Sequence, residues 1–181
     1  MRMLLDDLLD LSRGDSGQLQ LNQEVVDLEQ LVVKVADLSR SNLSDHRLEV
    51  VNTIPEQETS EALADPGRLQ QVLLDLIDNA AKYSAQNSLI TLLLQPHPDG
   101  IAIDVKDEGI GIPESDLPHI FKRFHRAKNS SVSSGTGLGL SVVALLMSAM
   151  GGEVRVQSKE GEGSCFSVIL PKPPTTSSGK S

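Results

Sequence analysis

Tryptophan is absent from the 181 residues, and aromatic side chains make up only 2% of them. A hydrophobic core must therefore be built almost wholly from aliphatic residues. There is a single cysteine, Cys165, so no disulfide can form within the chain. It alternates with Phe166 and Val168 in a strand-like stretch, and reads as a small buried side chain rather than a reactive thiol. No run approaches the roughly 18 consecutive apolar residues that a membrane span needs. Acids interrupt "MRMLLDDLLDLS" too often for a signal peptide, so a cytosolic setting is expected. Positive charge is also scarce: the net charge is −9. That excludes a general binder of nucleic acid or anionic membrane, which needs a broad basic surface. Any anionic ligand must meet a local positive patch.

The length permits one medium domain with an appendage, and no internal repeat is visible. Residues 3 to 11, "MLLDDLLDL", place Leu4, Leu8 and Leu11 on one helical stripe with Leu5 and Leu9 beside it. Such a short helix either docks on its own domain or is the cut end of a longer one. After a weakly alternating stretch from Leu19 to Leu28, "LEQLVVKVADLSRSNL" returns to helical spacing, and "RLEVVNTI" reads as a strand. A strong helix is predicted from about Asp65 to Ser84, with Asp65-Pro66 at the cap and first turn. "SLITLLL" and "IAIDVKD" form a hairpin around "QPHPDG". A short helix, "ESDLPHIF", and a Ser/Gly-rich connection precede a helix that stops at Gly151-Gly152. "EVRVQS" and "CFSVIL" close the chain as a hairpin, and residues 172–181 read as a disordered tail. Uneven segregation of helices and strands predicts an α+β fold, a two-layer α/β sandwich with helices on one sheet face.

Within "RLQQVLLDLIDNAAKYS", Asp75, Asn79 and Lys82 fall at i, i+4 and i+7, so an acid, an amide and an ammonium line one stripe. The stripe suits a hard cation and a phosphate, Asp and Asn giving oxygen ligands and Lys82 reaching phosphate oxygens. It is equally compatible with an exposed face carrying an Asp78–Lys82 pair. Between Leu117 and Gly152 there is no Asp or Glu, although the chain has 25, while Lys122, Arg123, Arg126 and Lys128 cluster. This cationic segment leads into "SSGTGLGLSVV", a glycine-rich loop opening a helix, and helix N-termini favour phosphate.

Neither "GIGIP" nor "GTGLG" has the G-x-G-x-x-G spacing of a dinucleotide fold, and the terminal "GKS" lacks the frame of a P-loop. Together, however, "DLIDNAAKYS", "DEGIGIP", "FKRF" and "GTGLGL" closely resemble the Asn box, first glycine box, Phe box and second glycine box of sensor histidine kinases, members of the GHKL ATPase superfamily. The likeness covers roughly Leu19 to Pro171, and each box alone is weak. It implies a Bergerat-type ATP-binding fold with a mixed, mostly antiparallel sheet. Residues 1–18 resemble the end of the second dimerisation helix and its linker, leaving 19–171 as the catalytic ATP-binding domain.

By that resemblance Asp107 would accept from the adenine amine, favouring ATP over GTP, with Gly109 and Gly111 removing side chains where the base slides against backbone and Ile112 beside it. Asn79 would ligate Mg²⁺, Asp75 could join it, and Lys82 and Tyr83 would lie near the phosphates. Arg126 would approach the γ-phosphate. Phe121 and Phe124 would anchor a lid running from about His125 to Thr136. Gly135, Thr136, Gly137, Leu138, Gly139 and Leu140 would wrap the triphosphate. Asp75, Lys82 and Arg126 would carry the catalysis. The family usually has Asn where this chain has Asp75, and a carboxylate there resembles the water-activating acid of gyrase-type relatives; the alternative is thus an ATP hydrolase or switch with Asp75 as base.

None of His46, His97, His119 and His125 sits in the context of a phosphoacceptor, so the chain should bind ATP yet lack its own acceptor. The implied partners are the dimerisation and phosphoacceptor domain of a parent kinase, which can be membrane-anchored, and a response-regulator receiver domain. A homodimer through the N-terminal helix is a further expectation, as is the absence of nucleic-acid or membrane contact. A different class, a nucleotide-independent interaction module using the leucine seam, is also open.

Overall fold

The computed structural model describes residues 2–43, 45–129 and 136–173. Its elements run α1 (Arg2–Asp15), β1 (Glu24–Asp27), α2 (Leu28–Arg40), β2 (Arg47–Asn52), β3 (Glu61–Ala64), α3 (Pro66–Tyr83), β4 (Leu89–His97), β5 (Gly100–Asp107), a 3-10 turn (Leu117–His119), α4 (Gly139–Ala149), β6 (Glu153–Lys159) and β7 (Gly163–Leu170). The main sheet has strand order β2-β4-β5-β7-β6, and β1 and β3 form a separate two-stranded ribbon. Only β2 and β4 pair in parallel within the main sheet. The chain between them includes β3 and α3, the long crossover a parallel pair requires. The fold is thus α+β, as expected, with a mixed and mostly antiparallel sheet. No helix of the described residues is long and apolar enough to cross a membrane.

Alternation along β4 decides which of its faces is covered, whereas the central β5 is buried on both. Ile90, Leu92 and Leu94 of β4, Ile103 and Val105 of β5, and Val168 and Leu170 of β7 are all buried. They join Leu69, Val72, Leu73, Leu76 and Ile77 of α3 and Val142, Val143 and Leu146 of α4 in one aliphatic core. The largest fully buried side chains are all Leu or Ile, as the shortage of aromatics required. The caps are those legible in the sequence. Asp65 accepts the Arg68 amide at 3.0 Å and Pro66 opens the first turn of α3. Gly151 ends α4 with φ +75.

Three elements differ from expectation. "ESDLPHIF" gives only the 3-10 turn Leu117–His119, since so short a segment cannot sustain an α-helix alone. β3, "EALA", carries no sequence signal because alanine and glutamate have low strand propensity; it is held by pairing with β1. The leucine stripe of α1 splits: Leu11 is 4% exposed, whereas Leu5 is 61%, Leu8 43% and Leu9 42% exposed. The side chain of Leu4 and the tail from 174 onward lie outside the described residues.

Helix α1 docks across α3 and α4. Asp10 is buried and its carboxylate accepts from the Arg68 guanidinium of α3 at 2.8 Å. Gly14 comes so close to Leu145 of α4 that an added Cβ would stand 2.6 Å from it. Asp15 receives a bidentate pair from Arg123 at 2.5 and 2.7 Å.

Candidate functional site

The C-terminal end of β5 forms the floor of a cavity of about 600 Å³. Asp107, its last residue, stands opposite Ser164 of β7. Oδ1 of Asp107 accepts the Gly109 amide at 2.8 Å and the Ser164 amide at 3.2 Å. Oδ2 accepts nothing among the described residues. Burial raises the Asp107 carboxyl above its ordinary pKa, and those two amide bonds oppose the rise. The neighbouring acid points elsewhere: Glu108 accepts the Leu89 amide at 3.0 Å and fixes the start of β4.

The loop after Asp107 is fastened to the β6–β7 hairpin. Ser158 Oγ accepts from the Ile112 amide and donates to the Gly163 carbonyl, both at 2.8 Å, and lies 2.9 Å from Ser164 Oγ. The Gly161 amide donates to the Ile110 carbonyl at 2.8 Å. These contacts correct the reason given for the glycines. A Cβ on Gly109 would stand 2.5 Å from the Tyr83 carbonyl, and one on Gly111, at φ +65, 2.0 Å from the Lys159 carbonyl. Both glycines let the chain pack on itself; the space a side chain would fill is occupied by the protein's own backbone.

Helix α3 supplies the adjoining wall. Asp75, Asn79, Lys82 and Tyr83 all line the cavity, so the polar stripe does face one space. Lys82 Nζ lies 5.2 Å from the Tyr83 ring centroid. Oδ2 of Asp75 is buried and accepts no hydrogen bond among the described residues. Burial pushes the Asp75 carboxyl up to about 7, and the charges of Asp7, Asp78 and Asp10 add to the rise. Asp7, contributed by the docked α1, lines the same cavity as Asp75 and Asp78.

The third wall is the stretch 125–129 and the start of α4. His125, Arg126, Ala127 and Asn129 line the cavity, as do Thr136, Gly137, Gly139 and Leu140. The cap residue of helix α4, Leu138, has no polar side chain, so the first amides of the helix have no partner from it. α2 and α3, by contrast, are each capped by an Asp. Among the described residues a Cβ on Gly139 would meet nothing within 4 Å. Open space beside a helix N-terminus with uncapped amides suits an anion. The cavity thus joins a half-satisfied carboxylate, a Lys and an Arg, and a helix start without a side-chain cap, a set matching a purine amine and a polyphosphate. Among the described residues no group of three His, Cys, Asp or Glu could hold a metal ion by itself. The unpartnered oxygen of Asp75 beside Asn79 fits a cation such as Mg²⁺ that retains waters and phosphate oxygens as its other ligands.

Residues 64–174 match the family described as histidine kinase-, DNA gyrase B- and HSP90-like ATPase. The chain belongs to that family. Sensor histidine kinase WalK of Bacillus subtilis (strain 168) is 33% identical over 175 residues, 94% of this chain and 28% of that protein. Full-length ShkA, solved in complex with AMPPNP, superposes with a TM-score of 0.78 at 29% identity, covering 96% of this chain and 36% of ShkA. The catalytic domain of histidine kinase ThkA, solved without nucleotide, gives a TM-score of 0.72 at 25% identity over 85% of this chain and 100% of that one. The chain therefore spans the catalytic ATP-binding domain of sensor histidine kinases, and 28% to 36% of the length of WalK and ShkA.

As a member of this family, the chain brings most of the residues expected at the site into one cavity: Asp75, Asn79, Lys82, Tyr83, Asp107, Gly111, Ile112, Arg126, Thr136, Gly137, Gly139 and Leu140. Gly109, Phe124 and Leu138 do not line it. Gly109 serves Asp107 from behind through its amide. Leu138 is 1% exposed, part of the core. Phe124 is 69% exposed at φ +62, and only its amide is held, donating to the Gly137 carbonyl at 2.9 Å. Phe121 instead packs edge-on against Phe166. Gly135 and most of the expected lid, 130–135, lie outside the described residues. Reading the sequence missed Asp7, Asn129 and Ser164. Ser164 carried no local signal, since it is the pairing of β5 with β7, strands distant in sequence, that places it opposite Asp107.

Proposed function

We propose that this domain binds Mg·ATP and transfers its γ-phosphoryl group to a histidine borne on a dimerisation domain, from which an aspartate of a response-regulator receiver domain takes it. The supporting observation is Asp107: a half-buried carboxylate with one oxygen held by two backbone amides and the other left for a ligand donor. An adenine amine satisfies that oxygen, whereas the guanine carbonyl sets acceptor against acceptor, so ATP is selected over GTP.

Asp75 and Asn79 would hold Mg²⁺, which supplies charge neutralisation of the phosphates when bound. Lys82 and Arg126 stabilise negative charge on the transferred group, and the uncapped amides of α4 orient the chain of phosphates. Catalysis of this kind is positioning and electrostatics rather than covalent participation by the protein. None of the chain's four histidines lies on α1, so the acceptor is assigned to a separate segment of a parent kinase. Residues 1–18 would then be the end of its second dimerisation helix, and the exposed Leu5, Leu8 and Leu9 the face that pairs.

Calorimetry with Mg·ATP tests the binding step, with micromolar affinity expected and much weaker binding of Mg·GTP. Incubation with radiolabelled ATP tests the transfer. Label should appear only when a histidine-bearing dimerisation domain is added, as an acid-labile, base-stable adduct.

A second reading, ATP hydrolysis with Asp75 as base, is favoured by the carboxyl near pKa 7 and its unpartnered oxygen. Steady turnover by this chain alone that is lost in Asp75→Asn supports it; absence of turnover rejects it.

A further inference from the structure

We infer that Asp116, which does not line the cavity, is a positioning residue that presents Arg126 to the terminal phosphate. The inference rests on the nucleotide reading above. Asp116 occupies the cap position of the 3-10 turn Leu117–His119, where an Asp ordinarily accepts an amide of the turn it opens. It makes no such bond. Its side chain is 3% exposed and reaches instead across twelve residues, Oδ2 accepting the Lys128 amide at 2.9 Å. Oδ1 faces His125 Nε2 at 3.8 Å.

A buried carboxylate is costly unless polar groups surround it, and both groups that do so here come from the short stretch containing Arg126. One lies immediately before the arginine and the other two residues after it. The carboxylate therefore holds that stretch in place from beneath. A second tie runs in parallel: Asn129 Nδ2 donates to the Gly111 carbonyl at 3.1 Å. Arg126 itself is exposed at the cavity rim. A long exposed side chain reaches a phosphate effectively only if its backbone is already ordered, because the ordering cost otherwise falls on binding. Asp116 removes that cost in advance. Its effect should appear only with a ligand whose terminal phosphate Arg126 meets, and only while Arg126 is present.

The test measures affinities of the 181-residue chain for Mg·ATP and Mg·ADP in wild type, Asp116→Asn, Arg126→Ala and the double variant. Asp116→Asn should weaken Mg·ATP about tenfold and Mg·ADP less than twofold, and should have no further effect on Mg·ATP in the Arg126→Ala background. Equal loss for the two nucleotides, or a full additional loss without Arg126, marks a merely structural role and overturns the inference. If Asp116→Asn does not fold, Lys128 decides the matter. Lys128→Pro deletes the amide that donates to Asp116 and Lys128→Ala keeps it, so only the former should lose Mg·ATP affinity selectively; equal behaviour of the two overturns the inference. Should wild type bind neither nucleotide, the reading of the cavity fails and this inference with it. Should wild type bind Mg·ATP and Asp116→Asn bind it equally well, this inference alone fails.

Discussion

The loop 107–113 and the wall made by α3 and the start of α4 face the same cavity with opposite local economies of hydrogen bonding. In the loop, Asp107 Oδ1 takes two amides, the Ile112 amide meets Ser158, and the Ile110 carbonyl is met by Gly161. On the helical wall, Asp75 Oδ2 is buried without a partner and α4 starts without a side-chain cap. The loop completes itself and leaves one oxygen for a ligand, so it can be rigid and selective. The wall is completed only by what binds, so its stability and its chemistry are coupled to ligand and to pH.

The largest expected effect breaks the self-completed side. Gly111→Ala forces a side chain into a left-handed conformation with its Cβ 2.0 Å from the Lys159 carbonyl. Strain and overpacking together should cost about 3 kcal/mol or more of folding stability, read as a lower urea midpoint. An unchanged midpoint would mean that the loop is not stitched to the hairpin as described.

The opposite sign is expected across the cavity. Because burial raises the Asp75 carboxyl to about 7 from an ordinary 3.8, the folded state holds a proton that the unfolded chain has released between those values. Stability from this group is complete below pH 3.8 and is lost as pH rises through about 7. Asp75→Asn, measured without nucleotide or metal, should therefore match wild type near pH 4. At pH 8 it should exceed wild type by roughly 4 kcal/mol at most, and by less to the extent that water reaches the group. A variant less stable than wild type at pH 8 would contradict the unpartnered environment of Asp75.

Asp107→Ala addresses the one open valence of the loop. Loss of a charge-assisted hydrogen bond to adenine should weaken Mg·ATP roughly 100-fold. The Gly109 and Ser164 amides, left without their acceptor, should also lower the thermal midpoint. Calorimetry and melting read these separately, and unaltered affinity would defeat the adenine assignment.

How much of this was legible beforehand follows the same division. The caps and periodicity of α3 are local, and they placed Asp75, Asn79 and Lys82 on one face. The glycine boxes were visible as motifs, but the reason for Gly109 and Gly111 was not, because it resides in contacts with Tyr83 and Lys159 far along the chain. β3 and the parallel pairing of β2 with β4 were invisible for the same cause: neither has a local signature, and both are set by the sheet. Asp7 enters the cavity only because Asp10, Leu11 and Asp15 dock α1. Phe124, read as a lid anchor, contributes a backbone amide in place of its ring.

Gly139 supplies the mildest and sharpest contrast with Gly111, since the two glycines line one cavity for opposite reasons. Gly139 has ordinary helical geometry and no described residue within 4 Å of an added Cβ. In Gly139→Ala the methyl group therefore enters space on the cavity side that no described residue fills. Replacing a helical glycine removes unfolded-state freedom, so the folded chain should be unchanged or up to about 1 kcal/mol more stable. The same methyl group crowds whatever approaches the amides of α4, so Mg·ATP should bind some three- to tenfold more weakly, about 1 kcal/mol. Adenosine, which carries no phosphate, should bind as it does to wild type. Equal weakening of adenosine and Mg·ATP would mean that the start of α4 faces the base, and the assignment of loop to purine and helix to phosphate would have to be reversed.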